Sequence, residues 1–276
     1  MKLKKFAATL AASVGLFASS VASASIIQAD WNGAIGGSSF TTFDTIFLTP
    51  SPASYAITLD FGADGKFSTG DTFTETVSYK VVRTDLGATE SYYNPADTWV
   101  VTATLQGVLT GVNLVADASI FNPASLANIF AAGSTWAAAF TGGSVSFVDA
   151  DTAISVATAT VLSGGSSQFF GNNSTQTLQF GIDARFDTVN DDYLRDGSGG
   201  LLSGYLPLLF GVADASANLD PTKISISESG EVVLVVKDNG GTAVIEIPEP
   251  ASIALVGVAL LGLGASSRRY KAKKTA

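Results

Sequence analysis

In the stretch DTFTETVSYKVVR, which begins at Asp71, apolar residues alternate with Thr, Ser, Glu and Lys. A helix cannot gather alternate residues onto one face, whereas a strand does so at every second position. The same period recurs in YAITLDF from Tyr55, TWVVTATLQGVLTGVNLV from Thr98, SVSFVD from Ser144, QTLQFGIDARF from Gln176 and EVVLVVKD from Glu231. Turn signals lie between them at Asp64-Gly65, Gly142-Gly143, Gly164-Gly165, Gly199-Gly200 and Asn239-Gly240-Gly241, and the last predicts a final hairpin around Asp238 to Gly241. One segment departs from the pattern. NPASLANIFAAGSTWAAAF, from Asn122, places Pro just inside an Asn cap and Gly133 as a stop, which predicts a short helix packed across the sheet or plugging one end. No repeat of fixed period is visible, so the expected architecture is mainly β, an antiparallel sandwich or open barrel with one short helix.

The two ends differ from this body. Lys2, Lys4 and Lys5 precede an apolar run from Phe6 to Phe17, and Ala22 and Ala24 stand at the small-residue positions of a signal-peptidase site. Residues 1–24 therefore read as a secretory signal peptide, cut after Ala24 by signal peptidase in the secretion machinery. At the other end Ala251 to Ser267 carries no charge. As a helix it rises about 25 Å against a hydrocarbon core of about 30 Å. Its Leu, Ile and Val residues favour insertion by only about 2–4 kcal/mol in total, partly cancelled by Gly and Ser. Arg268 and Arg269, then Lys271, Lys273 and Lys274, stop the span and hold the tail on the cytoplasmic side, which puts the body on the outer face.

Pro248-Glu249-Pro250, the apolar helix and the basic tail, in that order, resemble the PEP-CTERM sorting signal over residues 248–276. The resemblance implies a Gram-negative host and a membrane protease, exosortase, as partner. It further implies cleavage near Pro248, Glu249 and Pro250, with a transient inner-membrane anchor followed by delivery to the cell surface or extracellular matrix. The competing reading is a permanent single-span anchor. Trp31, GDTFTETVSYKV from Gly70 and GGSVSFVDADTAISVATATVLSGG from Gly142 further resemble PEP-CTERM proteins associated with bacterial flocculation, implying a matrix protein that helps cells aggregate in exopolysaccharide.

Between the signals, residues 25–247 are enough for one β domain. Seven of the fifteen Lys and Arg residues and twenty-three of the twenty-four acidic ones fall there, an excess of sixteen negative charges. Such a surface repels nucleic acid and attracts cations or basic partners. The chain has neither Cys nor His. Disulfides, thiolate zinc sites, Ser-His-Asp chemistry and the usual transition-metal ligands are thereby excluded.

Four groups of residues invite a functional reading, each beside a plainer one. Asp187, Asn190, Asp191, Asp192 and Asp196 supply oxygens in a short loop, as Ca²⁺ prefers, but Asp and Asn also favour simple turns. Asp60 to Asp71 imitates an EF-hand loop poorly and reads better as a hairpin loop. Tyr92, Tyr93, Trp99 and Trp136 suit either a sugar-stacking face or the core. Asn172 and Asn173 begin overlapping glycosylation sequons, whose use depends on the host. The expected function is a non-enzymatic surface or matrix protein bound to extracellular polysaccharide and promoting flocculation or biofilm, with no catalytic residues. The alternative is a carbohydrate-active enzyme that uses paired carboxylates, and a plain surface layer without a specific ligand is a third reading.

Overall fold

The computed structural model describes residues 26–30, 40–52, 54–87, 89–91, 99–163, 166–171 and 176–247. The expected signal peptide, the Pro-Glu-Pro motif, the expected apolar span and its basic tail lie outside them. So do Trp31, Tyr92, Tyr93, Gly164-Gly165, Asn172 and Asn173.

The described strands are β1 (Ile27–Ala29), β2 (Thr41–Phe43), β3 (Thr45–Pro50), β4 (Ser54–Asp60), β5 (Thr72–Leu86), β6 (Thr89–Ser91), β7 (Trp99–Asn113), β8 (Thr135–Asp149), β9 (Ile154–Val161), β10 (Ser166–Gly171), β11 (Gln176–Val189), β12 (Leu194–Asp196), β13 (Leu209–Ile226), β14 (Val232–Asp238) and β15 (Gly241–Glu246). Three pairs of short strands act as single, broken staves. β3 and β4 run one after the other along β5, β9 and β10 along β8, and β14 and β15 along β13. Counted this way, eight staves follow one another in chain order, each antiparallel to the next. The last returns to the first where β14 pairs with β4 and β15 with β3, so the sheet closes as an up-and-down barrel.

Alternation decides what faces inward. Along β5, Phe73, Glu75, Val77, Tyr79 and Val81 are buried, while Thr72, Thr74 and Thr76 are exposed and Ser78 and Lys80 half-exposed. The interior is filled, with Phe147, Phe186 and Phe210 forming a triangle of rings 5.1–5.7 Å apart. An apolar lumen behind a polar wall is the reverse of a membrane-spanning barrel, whose apolar side faces lipid.

Both mouths are plugged. At one, the cap pole, β1 lies between β12 and β2, burying Ile27, Phe43 and Leu194, and the Trp99 and Tyr193 rings meet at 6.0 Å. At the other, the helix pole, the segment from Asn122 buries Leu126, Ile129 and Phe130, and Phe67 lies edge-on to Phe61 and Trp136. The predicted helix is present as a 3-10 helix, Pro123–Phe130. Asn122 makes no side-chain cap; its carbonyl accepts instead from the Ser125 N–H at 2.8 Å. The segment turns extended at Ala131, before Gly133.

Two expected turns are corrected. Asn239-Gly240-Gly241 is a break within one stave, because β14 and β15 share β13 as a neighbour and do not pair with each other. Gly240 is needed there: its φ is +85°, and a Cβ would lie 2.3 Å from the Leu48 carbonyl oxygen. Gly142-Gly143 lies inside β8, next to a register shift in the β7–β8 ladder, so it bends a strand instead of ending it. Gly143 has φ +141°, and a Cβ would meet the Thr104 carbonyl oxygen at 2.2 Å, whereas a Cβ on Gly142 meets nothing within 4 Å.

These adjacent glycines should therefore separate on substitution. Gly143→Ala is expected to lose about 2–4 kcal/mol of unfolding free energy in urea, and Gly142→Ala to change it by less than about 1 kcal/mol. Equal losses would contradict the bulge.

Candidate functional site

The outward positions of alternating strands carry mostly hydroxyls, and the register lines them up. Ser78 pairs with Thr102, Thr102 with Ser146, Ser146 with Thr158 and Thr158 with Thr188, an unbroken row across five strands. Beside it, Thr76, Thr104, Ser144 and Thr160 form a second row. The hydroxyls bond to one another: Ser78 to Thr102 at 3.0 Å, Thr76 to Thr104 at 3.4 Å and Thr158 to Thr188 at 2.7 Å. Thr160 Oγ1 donates to Asp187 Oδ2 at 2.6 Å. This wall is a hydrogen-bonding, mainly uncharged face on an acidic protein. Its first row ends in a cleft of about 500 Å³ at the cap pole, lined by Ser155, Thr188, Asn190, Asp191 and Asp192.

The five residues expected to bind calcium sit around that pole, and the side chains of Asp187, Asn190, Asp191 and Asp196 each have separate partners. Asp187 takes the Thr160 hydroxyl and lies 3.7 Å from Arg185 Nη2. Asn190 Oδ1 accepts from the Asp192 N–H at 3.1 Å, a local turn. Asp191 accepts from the Ser203 N–H at 2.8 Å and from the Ser203 hydroxyl, tying the loop to the short 3-10 helix Leu202–Tyr205. Asp196 Oδ1 accepts from the Ser198 hydroxyl at 2.6 Å and the N–H groups of Ser198 and Gly200, both at 2.8 Å, and Oδ2 accepts from Tyr205 at 3.1 Å. Among the described residues no group of three or more Asp, Glu, His or Cys side chains is gathered as a metal site. The loop is held by its own hydrogen bonds, which is the turn reading of the same composition.

The carboxylates at the two poles respond oppositely to their surroundings. The Ser198 hydroxyl first, then the Gly200 N–H, hold Asp196 below the ordinary aspartate value of 3.8. At the helix pole, burial pushes Asp71 above it, although the Ser68 N–H donates to its carboxylate at 2.7 Å. Asp60 and Asp64 accept from the Gly62 and Lys66 N–H groups, so the EF-hand-like stretch is a hairpin loop between β4 and β5. In the cap, burial is the main cause that raises the Tyr193 phenol, which donates to Asp149 Oδ2 at 3.1 Å. Trp99 and Trp136 are buried in the core and form no sugar-stacking face.

Both ends of the described body lie at the cap pole. Ile27, three residues after the expected signal cleavage at Ala24, pairs with Asp196 and Phe43. Glu246, the last residue of β15, pairs with Leu209 at the start of β13, and the half-buried Ile247 packs against the core. Among the described residues no helix is long and apolar enough to cross a membrane; the expected span lies beyond them.

The chain continues past the last strand of the closed, polar-walled barrel into its C-terminal tail. Residues 246–269 match the model of the PEP-CTERM protein-sorting motif. By that motif the chain is an exported, sorted protein of the exosortase-substrate class, held at a membrane during sorting. The match begins at the final barrel residue and does not extend over the barrel. No curated protein and no solved structure matches the chain.

Since folding lowers the Asp196 pKa, its stabilisation is present above the ordinary value of 3.8 and is lost as pH falls through the lower, folded-state value. Asp196→Asn should therefore be less stable than the parent by about 1–2 kcal/mol near neutral pH. Denaturation across a pH series should show this gap closing below 3.8; a gap independent of pH would contradict the assignment.

Proposed function

We propose that the barrel is a non-enzymatic surface or matrix protein that associates with extracellular polysaccharide and promotes cell aggregation, as in flocs or biofilm. The double hydroxyl row carries this reading. Ser78, Thr102, Ser146, Thr158 and Thr188 offer donors and acceptors on one continuous wall, as a hydroxyl-rich polymer requires. The cleft beside Thr188 extends the same chemistry with an amide and carboxylates. A packed lumen suits surface association with a long chain better than enclosure of a small ligand. The sorting motif supplies the route, with exosortase cutting near Pro248-Glu249-Pro250 and the body passing to the surface or matrix. The excess of acid in the body disfavours nucleic acid as a partner.

Thr104 and Ser144 are adjacent in the second row, exposed, and remote from the core. Replacing both with Glu is expected to reduce retention of the barrel on exopolysaccharide from the producing cells several-fold, with the barrel still folded and its melting temperature lowered modestly because the two carboxylates stand directly opposite each other. Unchanged retention would overturn the reading. Release of reducing ends from that polysaccharide, abolished by a single Asp or Glu substitution, would replace it with the carbohydrate-active enzyme.

A further inference from the structure

The cap sheet has a buried face and an outer one. Ile27, Ala29, Phe43 and Leu194 point into the barrel mouth. On the other face the register aligns Thr42, Gln28, Arg195 and Leu201, since Gln28 pairs with both Thr42 and Arg195, and Arg195 bridges to Leu201. Directly opposed residues share a face. Ile26, two residues before Gln28, belongs to that face as well, and its side chain lies against Gly197. Leu201 is 61% and Ile26 50% exposed, and the Arg195 guanidinium is held 4.7 Å from the Phe40 ring centroid.

Chain length says what this face meets. From Ile247 to the start of the apolar span at Ala251 there are four residue steps, which reach about 14 Å when fully extended. The headgroup layer takes up about 5–7 Å of that. A tail inserted in a bilayer thus holds the rim of the cap pole close to the headgroups. Before signal cleavage the other tether is longer, ten residue steps from the end of the apolar run at Phe17 to Ile27 in the middle of the cap, about 35 Å when fully extended. Both tethers leave the same pole, and the helix pole has none.

We propose that the outer face of the cap sheet, with Leu201, Ile26 and Arg195, seats on the lipid–water interface of the membrane that the tail anchors. The reading rests on the tail acting as an anchor. Leu and Ile side chains enter the acyl boundary, and Arg195, whose Nε donates to the Asp191 carbonyl at 3.2 Å, turns its remaining N–H groups to phosphate. The seated barrel presents its helix pole outward, and the hydroxyl wall stands free of the membrane.

The chain contains no Cys, so a single introduced thiol reports one position. Leu201→Cys at the cap pole and Phe121→Cys at the helix pole, 77% exposed, are each labelled with an environment-sensitive fluorophore in the full chain and reconstituted in phosphatidylcholine vesicles. Flotation checks anchoring, and aqueous iodide checks seating. The expected result is flotation of both proteins, with quenching several-fold weaker and emission blue-shifted at position 201 relative to 121. Flotation with equal quenching at the two poles would overturn the seating alone. Failure to float would overturn the anchor reading and the seating with it.

Discussion

Closure of the sheet is the constraint on which the rest of the molecule depends. Without disulfides, the body relies on packing and on pairing its backbone groups. The ladder joining Leu59 to Val232 and Ile46 to Ala243 removes the two free edges that an eight-stave meander would otherwise expose. It also separates the two sides of every strand. One side becomes a lumen filled by Phe147, Phe186, Phe210 and their neighbours, and the other a wall that must remain wet. The plugs then complete burial at the mouths, using the N-terminal strand at one end and the 3-10 segment at the other.

The strands and their faces were legible in the sequence, because Phe73, Val77, Tyr79 and Val81 alternate with Thr74, Thr76, Ser78 and Lys80 within a few residues. Closure was not legible, since its partners lie on opposite ends of the body and only tertiary pairing brings Leu59 to Val232. Gly142-Gly143 and Asn239-Gly240-Gly241 misled for a related reason. Glycine signals unusual backbone, and a bulge or a break in a long strand uses the same residues as a turn. In the acidic loop, composition could not tell ligands for a cation from acceptors for nearby N–H and O–H groups, which is the role Asp191 and Asp196 perform. Each hydroxyl of the outer wall was visible in the sequence, but the rows exist only through a register spanning five strands. The long strand β13 went unread because its own alternation is interrupted by extra residues, between Val212 and Ala215 and between Leu219 and Ile224, where its ladders shift register.

Function divides along the same lines as structure. The sorting motif governs where the chain goes and begins at the last residue of the barrel wall. The wall and poles govern what the delivered body meets. The tail and the N-terminal strand leave the same pole, which is the basis of the proposed membrane side of the barrel. On the proposed reading the wall from β5 to β11 is left for a partner of hydroxyl-rich chemistry, and the acidic excess of the body works against anionic polymers such as nucleic acid.

The central claim is that the barrel is a passenger whose tail is removed after sorting, and the intact mass of the protein recovered from the extracellular fraction of the producing cells tests it most directly. The account predicts a chain that starts at Ser25 and ends near Pro248-Glu249-Pro250, with any additional mass assignable to sugars. A mass that retains Arg268, Arg269 and the residues after them, found only with membranes, would contradict it and make the tail a permanent anchor.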